Sequence, residues 1–363
     1  MEASSSPPAP LRDEEVQWPT FLGRSDLTSL WQRPAASSNW TEPGPPVSYD
    51  LANFFGNGNV GAMVQATGEG SVSLVLGRTD AYDRRIPGSP FATGSLLCDV
   101  AKLPLGTLTL ETKGDVLSAT SRVRLWDGEV DVQLVTTAGQ ISTRLLAFGG
   151  SSAPSAGGSG IIVAATNATG KEEAAQWNFV PGNANANAPH AVYKTESYSC
   201  PFKAPRYKSN PTATVSAVAG MTIAVQRLLV GPAWATAHGN RADAGRDVTV
   251  LATTAPLDGE HTAADLAERD ATWALDKWAD GSLLREHRAA WHAFYTSSSF
   301  LSIAHPKLEQ FYWIQQYKLA SGMGLRGDLA GDGGAMDHTS PWFLPNNGLF
   351  NWDLNIQVGT EAL

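Results

Sequence analysis

From about Val16 to Thr262 the chain repeats one local pattern: a short stretch of alternating apolar and polar residues, then a turn. A period of two sends successive side chains to opposite faces of a strand, so each stretch can bury one face and wet the other. Gly61–Thr67 and Ser71–Leu76, separated by Gly68-Glu69-Gly70, read as a hairpin. Leu105–Glu111, Ala119–Leu125, Val130–Val135 and Ile141–Phe148 continue the series, followed by Gly160–Ala165, Ala213–Val218, Met221–Leu229 and Arg246–Ala252. So many short strands at close spacing predict a large antiparallel β-sandwich. Composition points the same way: charged residues are only 17%, and the 35 Gly and 22 Pro punctuate strands more than helices. Gly149–Gly160 and Gly182–Pro189 read as exposed loops.

The period changes near Thr262. Thr262 can cap a helix that runs to Asp280 and stops at Gly281. Ser282 can cap a second helix, on which Leu283, Leu284, His287, Trp291 and Tyr295 share a face. Pro306 suits the first turn of a third, where Leu308, Tyr312, Gln315 and Leu319 step at helical spacing. Gly322 and Gly324 end it, and 327–334 reads as another loop. The expected organisation is a disordered N-terminus over 1–15, a β-sandwich domain over 16–262, a helical linker over 263–299 and an incomplete helical domain over 300–363.

Charge narrows the partners. A net charge of −9, with no Lys/Arg run, argues against nucleic acid, whose phosphates need basic clusters. The N-terminal stretch is rich in Ser, Pro and Ala without an apolar run, so it reads as neither signal peptide nor anchor. No segment approaches the ~20 apolar residues of a spanning helix, so no membrane partner is expected. Cys98 and Cys200 define no disulfide framework and read as two buried free thiols, with pairing left open. Asn39-Trp40-Thr41 and Asn167-Ala168-Thr169 are glycosylation triplets of a kind that also occurs by chance. Twelve Trp are expected mostly in the core, with a few lining a cleft where an indole can stack on a sugar ring.

Several motifs fail on context. Gly56-Asn57-Gly58-Asn59-Val60-Gly61 matches a dinucleotide fingerprint, but that site must open a helix, and here Gly68 and Gly70 follow within an alternating strand. The glycines read as a turn. His287 and His292 are five apart, not the four a zinc-protease helix needs. Asp328–Gly333 half resembles a calcium loop, but Ala330 and Thr339 stand at ligand positions. No G-x-S-x-G elbow occurs. No metal or cofactor is expected. The stretch Leu76–Arg85 packs two acids and three arginines after a strand. It reads either as a solvated loop with local ion pairs or as the wall of a polar cleft, with Arg78 and Asp80 binding sugar hydroxyls.

The last residues carry the strongest chemistry. Pro341-Trp342-Phe343, a Pro345–Gly348 turn and Trp352-Asp353-Leu354-Asn355-Ile356-Gln357 combine aromatic surface with an acid and amides. Glycosidic cleavage needs a proton donor on one side of the bond and a base or nucleophile on the other. Asp353 can be the base and Asn355 can orient the water, since residues two apart in extended chain face the same way. Alternatively, Asp353 only caps a short helix.

Trp18–Leu22, Asp50–Val64, Leu76–Arg84, Leu103–Gly106 and Arg124–Glu129 resemble the N-terminal β domain of glycoside hydrolase family 95, the fucosidase-like enzymes. His287–Leu319, with its Gln315–Ala320 run, is similar to that family's linker and first barrel helix. The resemblance implies a β-sandwich, a helical linker, an (α/α)6 barrel and hydrolysis with inversion. The family's Asn-x-Asn pair for the nucleophilic water, followed after one residue by Gln, falls here on Asp353, Asn355 and Gln357, with Trp342 and Trp352 as sugar-facing rings. The Asn-to-Asp change at 353 departs from the family. Its acidic groups fall beyond the matched pair, so the chain is expected to be an N-terminal piece without its proton donor. The implied partner is an oligo- or polysaccharide, and the compartment stays open, an extracellular or lumenal one agreeing with the resemblance. The alternative is a carbohydrate-binding or structural sandwich without catalysis.

Overall fold

Two antiparallel sheets face each other; one long helix covers the outer face of the larger sheet, and two more add side chains to the core between the sheets. The computed structural model describes residues 16–32, 53–66, 72–83, 103–155, 160–182, 210–243, 246–254 and 260–325. A short helix α1 (Trp18–Gly23) leads into strands β1 (Leu27–Gln32), β2 (Asn53–Gly56), β3 (Val60–Ala66), β4 (Val72–Arg78), β5 (Gly106–Glu111), β6 (Val116–Arg124) and β7 (Glu129–Thr136). Then follow β8 (Gln140–Ala147), β9 (Gly160–Ala168), a 3-10 turn (Gly170–Ala174), β10 (Gln176–Pro181), β11 (Thr214–Val218), β12 (Met221–Gln226), β13 (Trp234–Asp243) and β14 (Arg246–Thr253). Helices α2 (Glu260–Ala279), α3 (Ser282–Ser297) and α4 (Pro306–Met323) complete the described chain.

The larger sheet has nine strands in the order β1-β6-β7-β8-β9-β14-β13-β12-β11, and the smaller has five, β10-β5-β4-β3-β2. Neighbours pair antiparallel throughout. The expected antiparallel β-sandwich with C-terminal helices is therefore the fold.

The alternation explains the layering. In β5 Leu108 and Leu110 point inward while Thr107 and Thr109 are half-exposed. β9 breaks the rule because both of its faces are covered, as happens whenever a strand is sandwiched on two sides. Ile162 and Ala164 join the core between the sheets, while Ile161, Val163 and Ala165 join a second core under α2. Helix α2 approaches closely because its inner stripe is small: Ala263, Ala267, Ala271 and Ala274 are all buried. β11 and β12 are joined by Ala219-Gly220, both at positive φ (49° and 81°), the geometry of a tight hairpin whose twist matches its strands.

Gly281 does double duty. At φ 71° it stops α2 and forms the N-cap of α3, so Ser282 is the first helical residue rather than the cap. On α3 the expected face holds: Leu283, His287, Trp291 and Tyr295 are buried, one per turn. On α4 it does not. Leu308 is 55% exposed; of the expected stripe Leu319 is buried and Tyr312 packs against the core, but the buried face is centred on Glu309, Trp313, Gln316, Tyr317 and Ala320. The larger rings decide this rotation, because Trp313 and Tyr317 bury more area and place their polar atoms on backbone carbonyls. Trp313 Nε1 donates to Leu301 O at 3.1 Å, and Tyr317 Oη donates to Phe54 O at 2.8 Å.

Candidate functional site

The loops of the smaller sheet converge on the carboxyl end of α4. The β2–β3 connection, 57–59, is shaped by Asn57, whose Oδ1 accepts from Asn59 N (3.1 Å) and Val60 N (2.9 Å). Its Nδ2 donates to Phe148 O at 2.8 Å, tying the turn to the end of β8. Gly58, at φ 88°, donates its N–H to Ser321 O at 2.9 Å. A side chain at Gly58 would strike the Met323–Gly324 backbone. The fingerprint stretch thus forms a hairpin turn, as its context predicted: Gly56 and Gly61 pair across β2 and β3, and Gly58 between them lets a helix end touch the turn.

The loop after β4 lies beside it. Thr79 N donates to Asn59 O at 3.0 Å, and its hydroxyl donates to Gly58 O. Arg78 is 1% exposed, and its guanidinium grips Asp80 by two bonds, Nε to Oδ1 at 2.6 Å and Nη2 to Oδ2 at 2.9 Å. A third nitrogen donates to Thr253 O at 3.2 Å. The fork fixes the carboxylate in the bidentate geometry that makes such pairs strong. The Asp80 side chain keeps 38% exposure. Of the polar groups singled out in this loop, Asp80 therefore faces outward and Arg78 reaches the rim through it.

A second polar cluster clamps α3 to the β6–β7 turn. Glu129 is fully buried and accepts from Arg288 Nε (2.6 Å) and Nη2 (3.1 Å), with Arg144 Nε at 3.0 Å. Asp127 pairs with Arg124 at 2.6 Å and His292 Nε2 at 3.1 Å. His292 stacks on Trp126 at 4.0 Å, and Trp126 stacks on Trp18 at 5.8 Å. That indole is already stacked against two rings of the protein itself. Trp177, Trp234, Trp278, Trp291 and Trp313 are buried.

Behind the clamp, His287 Nδ1 accepts from Gly149 N at 3.2 Å. Its pKa is pushed down to about 4 by desolvation, with the Gly128 and Asp127 carbonyls acting in the opposite direction. Burial raises the Tyr295 and Tyr317 hydroxyls above their usual range, so both stay neutral; Tyr317 donates to Phe54 O, while the Tyr295 hydroxyl has no partner among the described residues. Glu172 accepts from Lys113 N, Gly114 N and Thr136 Oγ1, and Asp83 accepts from Asn210 Nδ2. These buried acids hold loops. Among the described residues no group of three His, Cys, Asp or Glu side chains could hold a metal ion.

Sequence reasoning singled out Arg78 and Asp80, and the structure joins them. It missed Asn57, Asn59 and Thr79 as partners in the same rim; the signal was the Asn-Gly-Asn spacing, which was read only as a turn. Trp342, Trp352, Asp353, Asn355 and Gln357 lie outside the described residues, as do Cys98, Cys200, Asn39 and the stretch 1–15.

No protein-family profile matches the chain, and no curated protein matches it. Among solved structures the chain is similar to one described as a candidate kojibiose phosphorylase from human microbiome, with 9% identity and a TM-score of 0.45. The match covers 74% of this chain and 36% of that one, so the chain spans about a third of that protein's length.

Proposed function

We propose that this chain belongs to a glycoside hydrolase that cleaves an oligo- or polysaccharide with inversion, related to the fucosidase-like family 95. In this reading Asp353 draws a proton from the water that attacks the anomeric carbon, and Asn355 orients that water. Trp342 and Trp352 stack on the sugar, and Gln357 bonds a hydroxyl. The observation that supports the reading is the polar rim at the end of α4. There the half-exposed carboxylate of Asp80, held by Arg78, stands next to Thr79 and the 57–59 turn, and that turn meets the end of α4 at Ser321 and Gly324. A carboxylate held rigidly by an arginine is suited to accept from a sugar hydroxyl, because little freedom is lost on binding.

Two measurements test this. Calorimetric titration of the purified chain with a panel of oligosaccharides should show binding that Asp80→Ala or Trp352→Ala weakens by about tenfold or more, some 1.4 kcal/mol. In the full-length protein, Asp353→Asn should lower kcat by roughly 10²–10⁴-fold without moving the melting temperature, since Asn caps a helix as well as Asp. Unchanged kcat removes Asp353 from the mechanism. Sugar binding by a full-length protein that turns over no glycoside would favour the non-catalytic alternative.

A further inference from the structure

We propose that Asn167 is an acceptor for an N-linked glycan on the open face of the larger sheet. Asn167 and Thr169 form an Asn-Ala-Thr triplet at the end of β9. What the sequence leaves to chance, the structure constrains. Asn167 is exposed, and its amide makes no hydrogen bond among the described residues. In register it lies beside Ser142, which lies beside Gln133, and these two are exposed as well. That row sits on the face opposite the inter-sheet core, past the stripe of Ile161, Val163 and Ala165 that α2 covers. A glycan there meets a polar, solvent-facing surface and displaces no packed side chain. Thr169 is pinned by two bonds to Gln140, which fixes the triplet's far end beside the neighbouring strand. The contrast lies within the same chain. Asn210-Pro211-Thr212 carries a proline in the middle, which bars it as an acceptor, and Asn210 is buried holding Asp83 and Leu229.

The reaction balances without redox chemistry. The Asn167 amide nitrogen displaces a lipid diphosphate from the anomeric carbon of a lipid-linked oligosaccharide. A C–N bond forms, the C–O bond to the diphosphate breaks, the diphosphate leaves with the electron pair, and the nitrogen loses one proton. The consequence is a bulky, soluble cover over the uncovered part of the sheet.

The test is translation of the full chain, fused to a cleavable secretion signal, in a eukaryotic lysate supplemented with endoplasmic-reticulum microsomes. Asn167 occupancy is read on its own peptide after enzymatic deglycosylation in heavy-oxygen water, which separates it from Asn39. The expected result is a labelled aspartate at 167 that is absent in Asn167→Gln and Thr169→Ala. Secreted protein is then melted with and without its glycan, and the two forms should melt at the same temperature, as they must if the side chain points to solvent. An unmodified Asn167 peptide from translocated chain overturns the proposal. So does a glycosylated form that cannot fold while Asn167→Gln folds normally.

Discussion

Replacing Gly128 by alanine tests the packing of the helices on the sandwich most directly. Gly128 sits in the turn between β6 and β7 at φ 66°, and donates to Arg124 O at 2.9 Å. A Cβ there would fall inside the indole of Trp291. Trp291 cannot give way cheaply, because it is 1% exposed and stacked on Tyr317 at 5.2 Å. Two costs follow. The left-handed backbone costs a non-glycine residue about 1 kcal/mol. The overlap adds an overpacking cost of about 1–3 kcal/mol, as surrounding side chains leave their rotamers. Gly128→Ala should therefore lose about 2–4 kcal/mol in urea unfolding followed by tryptophan fluorescence. The steric share is separable. In a Trp291→Ala background the ring that the new methyl would strike is gone, so the same substitution should cost only the backbone share, about 1 kcal/mol. A loss below about 0.5 kcal/mol, the range of neutral surface changes, would refute the argument. So would equal losses in the two backgrounds.

Burial of His287 makes stability depend on pH. Its folded pKa of about 4 lies below the ordinary 6.5, so between those values the unfolded chain binds a proton the folded one does not. The contribution is complete above pH 6.5 and falls away as pH drops toward 4, by about 3 kcal/mol in all. His287→Gln should flatten that slope in urea titrations at stepped pH, and an unchanged slope would assign it to other groups. Removing the clamp should also be costly: Glu129→Ala takes the nearest carboxylate from Arg288 and Arg144 and leaves them only the longer contacts to Asp127 (3.9 Å) and Asp131 (4.0 Å), with an expected loss of about 2 kcal/mol. A loss under about 1 kcal/mol would mean water replaces the carboxylate freely.

The β layers were legible where one face is wet. β5, β6, β7 and β8 each fall within a few residues of the stretch their alternation marks. β10 and β13 were not legible. β13 reads Trp-Ala-Thr-Ala-His-Gly-Asn-Arg-Ala-Asp, and its small residues show no alternation because α2 presses on one side and the facing sheet on the other. β1 and β2 were hidden by their partners: Asn53, polar in a strand, is buried against Ser121, a pairing 68 residues apart that no local pattern reports. The α4 rotation was misread for a similar reason. Periodicity favours Leu308, but the aromatic cluster of Trp18, Phe21 and Phe300 supplies a ready bed for Trp313. At the rim, Arg78 and Asp80 could be singled out because charges are scarce in this chain. Which of them faces solvent depended on Thr253, far away in sequence.

Three of the glycines at the helix seam bear on how the protein can be handled. Gly58 meets the end of α4, Gly128 lies against Trp291, and a side chain at Gly149 would run into Leu325. Each contact joins a sandwich turn to the helical part with no side chain between them. Helices α3 and α4 thus supply walls of the sandwich's own core, where Trp291, Tyr295, Trp313 and Tyr317 stand among the strand residues. An expression boundary drawn at the strand-to-helix switch, between Thr253 and Glu260, would strip those rings away and leave their apolar beds open to solvent. A soluble sandwich has to be cut after α4, and a protease that nicks the 254–260 connection should leave the two pieces associated.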